Sequence, residues 1–183
     1  CQRAKMMRRP ARRQGEEEDD DKKPKKFADL VNADYIVSQS EEAMGLTGER
    51  DCLVLVDRAT KYKEAFPLQG RTTNDCYGAL QAYFGDAKPK KIYTDNEGAL
   101  IKACKQLRYN HHKSTPHRHQ SNAHAERCVR TVVEGARTLL EQAGLPSCFW
   151  IFAVRFYCFM CNVEVKDGDS AWNKRHGKGH FKK

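Results

Sequence analysis

The segment CLVLVDRA, at positions 52–59, constrains the fold of this 183-residue chain more than any other stretch. It opens with five consecutive apolar residues, rich in Leu and Val, and such a run predicts a buried β-strand. The apolar runs at 27–37 and 61–68 predict one strand before it and one after it. Together the three segments predict a three-stranded meander.

Helical signals follow the meander. Residues 72–85 begin with Thr72, a good N-cap, and end at Gly85, which is typical of a helix. Apolar residues recur at helical spacing from about Ala123 to Ala143. The remaining segments predict a strand at 88–95, a helix at 96–107, a short strand or loop at 109–115 and a helix at 147–163. This order predicts an α/β fold in which helices cover a mixed sheet.

Charge divides the chain into three parts. Residues 1–26 carry ten basic and six acidic side chains, and residues 166–183 carry six and two, which leaves +1 of the total +9 for residues 27–165. We therefore expect a charged, flexible leader at 1–26, a globular domain at 27–165 and a basic Gly- and Lys-rich tail at 166–183. A basic balance indicates an acidic partner, most often nucleic acid.

Other compositional signals concern the environment of the chain. The longest apolar run, 148–163, is interrupted by Arg155 and is too short to span a membrane, so no membrane partner is expected. Eight cysteines without a secretory signal indicate reduced thiols.

Three acids occupy positions that suit a site. Asp34 lies in the first predicted strand, Asp95 ends the fourth, and Glu126 lies where a polar, His-rich loop meets a helix. Ligands bind at strand ends in open α/β sheets, and carboxylates gathered there repel one another unless a cation such as Mg²⁺ or Mn²⁺ is present. A single acid is usually a solvated surface group, and spacing alone does not choose Asp34 over Asp29 or Asp57.

Several sequence motifs distinguish Asp34 from Asp29 and Asp57. The segments DYIV, LVLVDRATKYKEAFPL, YTDNEGALIKA and TPHRHQSNAHAERCVRTV, followed by the Phe-Trp pair of the last helix, resemble the integrase catalytic core of LTR-retrotransposon polyproteins over about residues 27–165. The resemblance implies an RNase H-like fold and a catalytic, metal-binding triad of Asp34, Asp95 and Glu126 with two Mg²⁺ or Mn²⁺ ions. It also implies DNA 3′-end processing and strand transfer, a homo-oligomer, and action on chromosomal DNA in the nucleus, with a cytoplasmic particle stage.

The same resemblance indicates where DNA binds. Arg118, Gln120, Ser121 and Asn122 are expected on the loop before the helix, and their side chains suit phosphate contacts. Arg127 and Arg130 follow on the helix and are further DNA-binding candidates, although Arg130 has Glu134 four residues on as an alternative partner.

The chain also departs from the family pattern. Thirty residues separate Asp95 from Glu126, fewer than is usual, and Ala123 and Phe152 replace a customary Gly and acid. Ala123 is expected to reduce loop mobility. A catalytically decayed domain that binds nucleic acid or protein is therefore a second hypothesis for the function. A related transposase or RNase H-type nuclease is a third.

Two further patterns have less weight. Cys1 resembles the last ligand of the zinc module that precedes such cores, and Cys158, Cys161, His176 and His180 have a finger-like spacing. Because the second Cys pair lies in an apolar helix, buried thiols are the better interpretation. The aromatic residues of 149–159 are expected mainly in the core, with some at a subunit interface.

Overall fold

A strand that is buried along its whole length lies inside the sheet, between two other strands. The computed structural model describes residues 23–38, 43–94, 96–113 and 119–177, without the side chains of Lys113 and 119–123. All seven residues of Asp51–Asp57 are buried. The strand pairs antiparallel with neighbours on both edges. The prediction of a buried strand at this position is confirmed.

The elements follow the predicted order. The strands are Val31–Val37 (β1), Asp51–Asp57 (β2), Lys63–Leu68 (β3), Ile92–Thr94 (β4), His111–Lys113 (β5), Val165–Lys166 (β6) and Asp169–Ser170 (β7). The helices are Thr73–Phe84 (α1), Gly98–Gln106 (α2), His119–Ala143 (α3), Trp150–Val163 (α4) and Ala171–His176 (α5), with a 3₁₀ turn at Ser147–Phe149 before α4.

The main sheet is mixed, as predicted. Its strand order is β3-β2-β1-β4-β5. The pairs β1–β2 and β2–β3 are antiparallel, whereas β1–β4 and β4–β5 are parallel. A meander joined to two parallel strands, with helices on both faces, is the RNase H-like α/β arrangement that the resemblance implied.

Two cores cover the two faces of this sheet. Because successive side chains of a strand point to opposite faces, Leu53 and Leu55 of β2 pack with α1 and α2. Cys52, Val54 and Val56 pack with α3 and α4 on the other face. The alternation continues in β1, where Ala33 belongs to the first core and Ile36 contacts the second. The face of each β1 residue is thereby fixed.

The first strand begins later than the sequence predicts. Residues 27–30 form a turn, in which Ala28 has a positive φ of 68°. The Asp29 carboxylate accepts hydrogen bonds from the backbone N–H groups of Lys25 and Lys26, both at 2.9 Å. A side chain that bonds the neighbouring backbone in this way favours a turn over a strand.

The predicted basic tail contains folded elements. Strands β6 and β7 form a small antiparallel hairpin, and α5 follows it directly. The Arg175 guanidinium lies over the rings of Phe27, Tyr62 and Tyr83, at 4.5, 4.2 and 5.2 Å from their centroids. It also donates a hydrogen bond to the backbone carbonyl of Tyr83. Residues 165–176 therefore pack onto the domain.

The described helices show no candidate membrane span. Within the described ranges, no helix is both long enough and apolar enough to cross a bilayer.

Close packing of α3 against α4 depends on Gly135. A Cβ atom built at this position would overlap the ring of Tyr157 on α4. Gly78 on α1 is the matched contrast, since a Cβ there meets no atom within 4 Å.

We expect Gly135→Ala to destabilise the domain by about 1–3 kcal/mol, because the Tyr157 ring or the helix pair must shift. Gly78→Ala should instead be neutral or stabilising by up to ~1 kcal/mol, because Ala is the better helix former. Urea unfolding of the two variants measures the difference. Equal stability of the two proteins would show that α3 and α4 do not depend on this contact.

Candidate functional site

Asp34 lies in β1 on the face that α3 covers. Asn32, Asp34 and Ile36 share this face by alternation, and Ile36 packs against the α3–α4 core. The Asp34 Oδ1 atom accepts a hydrogen bond from the backbone N–H of Tyr35 at 2.8 Å. Helix α3 packs across β1, β2 and β4 on this face. The negative charge of Asp34 also reaches Cys128 of α3, two residues beyond Glu126.

Asp95 lies outside the described residues, directly after the end of β4 at Thr94. Strands β1 and β4 are parallel neighbours, with Val31 opposite Ile92 and Asn32 opposite Tyr93. Along the chain, Asp34 and Asp95 each follow two residues after the Asn32–Tyr93 pair. The topology thus makes β1 and β4 adjacent, as a shared site between these two acids requires.

Glu126 is the exposed third acid. Its neighbour Ala125 is 2% exposed and turns toward the sheet, whereas Glu126 lies on the flank of α3 that it shares with Val129 and Val133. The latter two residues line a groove with Tyr35 and Ile36. Among the described residues, the Glu126 side chain has no hydrogen bond or ion pair. Its carboxylate is therefore available beside the β1 edge of the helix.

Helix α3 begins earlier than predicted. It starts at His119, so Gln120, Ser121 and Asn122 lie in its first turn rather than on a loop. Ala123 explains the difference, because Ala has the highest helix propensity whereas the Gly customary in the resembling family would weaken a helix there. Arg118 lies outside the described residues, and the side chains of 120–122 are not described.

The two candidate arginines of α3 occupy different flanks. Arg127 lines a cleft with Lys61 and Lys63, on the side away from β1. Arg130 is exposed, four residues after Glu126, and the described structure contains no ion pair between Arg130 and Glu134. Their roles in DNA binding remain predictions.

The structure gives Asp29 and Asp57 other roles. Besides its two backbone hydrogen bonds, Asp29 pairs with Lys90 at 2.6 Å. Asp57 is fully buried and accepts from the backbone N–H of Ala28 at 3.0 Å and from the N–H and Oγ1 of Thr60 at 2.7 and 2.8 Å. Burial raises the pKa of the Asp57 carboxyl, and these hydrogen bonds oppose the increase. Both acids stabilise turns, which leaves Asp34 as the acid of β1 that faces α3.

The described donors fit a hard divalent cation. The Asp34 and Glu126 carboxylates are the oxygen ligands that Mg²⁺ and Mn²⁺ favour. Within the described part of the chain, no three His, Cys, Asp or Glu side chains form a metal-binding group, and that part does not include Asp95.

The finger-like spacing in the last third of the chain receives no support from the described residues. Cys158 is 1% exposed in the α3–α4 core. His176 stacks on Trp172, with ring centroids 4.5 Å apart. His180 and Cys1 lie outside the described residues, and all seven described cysteines are free thiols.

His124 lies on the flank of α3 opposite Glu126. Burial, together with the positive charges of Arg58, Lys61 and Arg127, lowers the pKa of its imidazole to about 4. The sequence analysis did not predict this cluster of cations around His124. The signal that could have revealed it is the three cations of RATKYK, residues 58–63, placed at the end of a predicted strand.

Comparison with known proteins relates the chain to retrotransposon polyproteins. No family model matches it. Over 145 residues it is 29% identical to a retrovirus-related Pol polyprotein from transposon TNT 1-94 of Nicotiana tabacum, an alignment covering 73% of this chain and 11% of that protein. The Pol polyproteins from transposons RE2 and RE1 of Arabidopsis thaliana are 27% and 28% identical over 138 residues, covering 70% of this chain and 10% and 9% of theirs.

The chain spans about a tenth of the length of these relatives. Its similarity covers most of its own length, which supports a relation to one region of a retrotransposon Pol polyprotein.

The low pKa of His124 predicts a pH dependence of stability. Between pH ~6.5 and ~4 the unfolded chain binds a proton at His124 that the folded chain does not, so stability falls as the pH decreases through this window. His124→Gln should therefore lose less stability than the parent between pH 7 and pH 4.5. Urea unfolding at several pH values measures this, with His112→Gln on β5 as the control for loss of an imidazole. A parallel pH dependence of parent and His124→Gln would contradict the prediction.

Proposed function

We propose that this chain is the catalytic core of a retrotransposon integrase, an enzyme that trims DNA 3′ ends and joins them to target DNA with the help of divalent cations. The relatives support a Pol-derived region, and the RNase H-like arrangement supports a phosphoryl-transfer core. The integrase motifs of the sequence supply the finer assignment.

One observation supports this proposal best. Asp34 lies in β1, and Asp95 directly follows the parallel neighbour β4, each two residues along the sequence from the Asn32–Tyr93 register pair. Helix α3 crosses the same face and carries an exposed Glu126 without a described partner. Asp34 and Glu126 thus lie on one side of the sheet, and Asp95 follows the strand next to β1.

In this proposal the carboxylates of Asp34, Asp95 and Glu126 hold two Mg²⁺ or Mn²⁺ ions. When bound, such ions activate the attacking oxygen and stabilise charge on the leaving one. First, water attacks a phosphodiester near the DNA end and leaves a 3′-hydroxyl. That hydroxyl then attacks a target phosphodiester, which forms the new bond and releases a target 3′-hydroxyl. Neither step needs a covalent bond to the protein, so the chain positions the reacting groups.

Positive and amide side chains are proposed to hold the DNA backbone. Gln120, Ser121 and Asn122 belong to the first turn of α3, at the same end of the helix as Glu126. Arg118, Arg127 and Arg130 add positive charge before and after them in sequence. A joining reaction on chromosomal DNA would take place in the nucleus.

Reversal of strand transfer on a branched DNA substrate tests the proposal, because this reaction depends least on regions outside the catalytic core. We expect Asp34→Asn, Asp95→Asn and Glu126→Gln each to lower the rate at least about 100-fold, since each removes one charged ligand. Glu141→Gln, an exposed acid near the other end of α3, is the matched control and should retain full activity.

Each other outcome has a definite meaning. Full activity of Glu126→Gln would remove this residue from the site. An inactive parent that still binds Mn²⁺ with its three acids would favour a core that needs flanking regions. An inactive parent that binds no Mn²⁺ would favour the second candidate, a decayed domain that binds nucleic acid or protein.

The early start of α3 is the observation that favours this second candidate. A helix that begins at His119 leaves fewer residues for a mobile loop before Glu126. Ala123→Gly should shorten the helix and discriminates between the two, because a gain of joining activity would show that only loop mobility limits this copy.

The aromatic residues of α4 support the expected homo-oligomer. Contrary to the expectation of a mainly buried cluster, Phe152, Phe156 and Phe159 are 52, 54 and 43% exposed. Phe152 and Phe156 line an apolar groove with Leu139 and Leu145. A contiguous apolar surface of this kind is typical of an interface. We propose a second copy of the chain as the partner of this α4 face.

Phe156→Lys should therefore shift the protein toward the monomer, because it places a charge in the centre of the α4 face. Analytical ultracentrifugation measures the shift, and Gln106→Lys on α2 introduces the same charge on the other face of the sheet. A parent that is monomeric at all concentrations, or an equal effect of both substitutions, would contradict the assignment.

A further inference from the structure

A second polar cleft lies along α3, on the flank opposite Glu126. It has a volume of about 500 Å³. Four α3 residues line it, His124, Arg127, Cys128 and Thr131, and their spacing of three to four residues places them on one stripe. Glu126 belongs to the other stripe, whose Val129 and Val133 line the groove beside β1. The cleft is therefore separate from the proposed carboxylate site.

Cations from three parts of the fold converge on this cleft. Lys61 and Lys63 come from the β2–β3 connection and the start of β3, Arg127 from α3, and Lys174 from α5. We call these four residues and the space between them the lysine cleft. Burial lowers the pKa of Lys61, and the charge of Arg58 lowers it further. The charge of Asp57 raises this pKa, and Lys174 and Lys63 lower it by smaller amounts.

Three acids, Glu164, Asp167 and Asp169, also line the cleft, beside the four cations and Lys166. Glu164 pairs with Lys166 at 2.9 Å. Asp169 Oδ1 accepts from the backbone N–H of Ser170 at 2.8 Å. Asp57 is turned into the core, where it stabilises the turn. Among the described residues, Lys61, Lys63 and Lys174 have no ion pair.

The turn that carries Lys61 is held in a fixed shape. Thr60 donates two hydrogen bonds to Asp57, and the Lys61 N–H donates to the Asp57 carbonyl at 3.0 Å. Lys61 itself has a positive φ of 65°. The Lys61 Nζ atom donates to the carbonyl of Arg58 at 2.8 Å, which directs the ammonium group along the turn. The cations are thus brought together by the fold before any ligand binds.

We propose that the lysine cleft binds phosphates of a DNA backbone, as a second nucleic-acid contact away from the three acids. Lysine ammonium groups act on phosphate as point charges and read no base identity. The described lining of the cleft contains no Phe, Tyr or Trp on which a base could stack. The choice of DNA as the polymer rests on the proposed function, whereas the charge argument does not.

Duplex binding at several salt concentrations, measured by fluorescence anisotropy, tests the proposal. The triple variant Lys61→Gln, Lys63→Gln and Lys174→Gln should weaken binding at least about 10-fold at low salt and reduce the slope of log K against log salt by about 2–3, close to one per lost phosphate contact. Lys88→Gln, Lys102→Gln and Lys105→Gln remove the same charge from exposed positions, two of them on α2, and should change the slope much less.

Thermal unfolding of both triple variants establishes that they are folded.

Several results would overturn the inference. Equal losses of DNA affinity in the two triple variants would show that net charge, and not the lysine cleft, accounts for the effect. A parent protein that does not bind DNA would exclude the inference. Binding of inorganic phosphate that the cleft variant loses, without binding of DNA, would assign the cleft to a small phosphorylated ligand. A lowered slope together with a parent that neither joins DNA nor binds Mn²⁺ would keep the lysine cleft and reject the integrase assignment. Loss of joining in Glu126→Gln with an unchanged slope in the cleft variant would do the reverse.

Discussion

The burial of β2 on both faces is the constraint on which the rest of this structure depends. A strand whose seven residues are all buried needs a strand on each edge and a helical layer on each face. β1 and β3 satisfy the edges, α1 and α2 cover one face, and α3 and α4 cover the other. Because side chains alternate, this layering decides that Asp34 faces α3 while Ala33 and Tyr35 face the opposite core.

Helix α3 then divides the chemistry of the molecule between its two flanks. Its buried stripe, Ala125, Cys128, Val132 and Ala136, fixes the rotation of the helix against the sheet. With that rotation fixed, Glu126 is turned toward the β1 side and His124 and Arg127 toward the β2–β3 turn. Adjacent residues of one motif thus serve a proposed acidic site on one flank and a basic cleft on the other.

The C-terminal segment is the part that composition describes least well. A Gly- and Lys-rich sequence indicated a tail, yet Arg175 inserts among Phe27, Tyr62 and Tyr83. A guanidinium that stacks on several aromatic rings stabilises the contact by about 1–2 kcal/mol when it is desolvated. The segment also brings Lys174 to the lysine cleft. One short helix therefore closes the aromatic core and completes the basic surface.

The sequence by itself determined the order of the elements, since apolar periodicity and caps are local signals. Thr72 does accept a hydrogen bond from the Asp75 N–H at the start of α1, as a cap should. It also determined the mixed α/β class and proposed the acids through their motifs. The ends of the elements were predicted less well. The turn at 27–30 depends on the hydrogen bonds of Asp29 to the backbone, and the start of α3 at His119 depends on the helix propensity of Ala123. Only the tertiary structure decided which acids stabilise turns, which aromatic side chains of α4 remain exposed, and which cations meet. These depend on which residues far apart in the chain lie near one another, as Lys61 and Lys174 do at the cleft, and such proximity leaves no local pattern in the sequence.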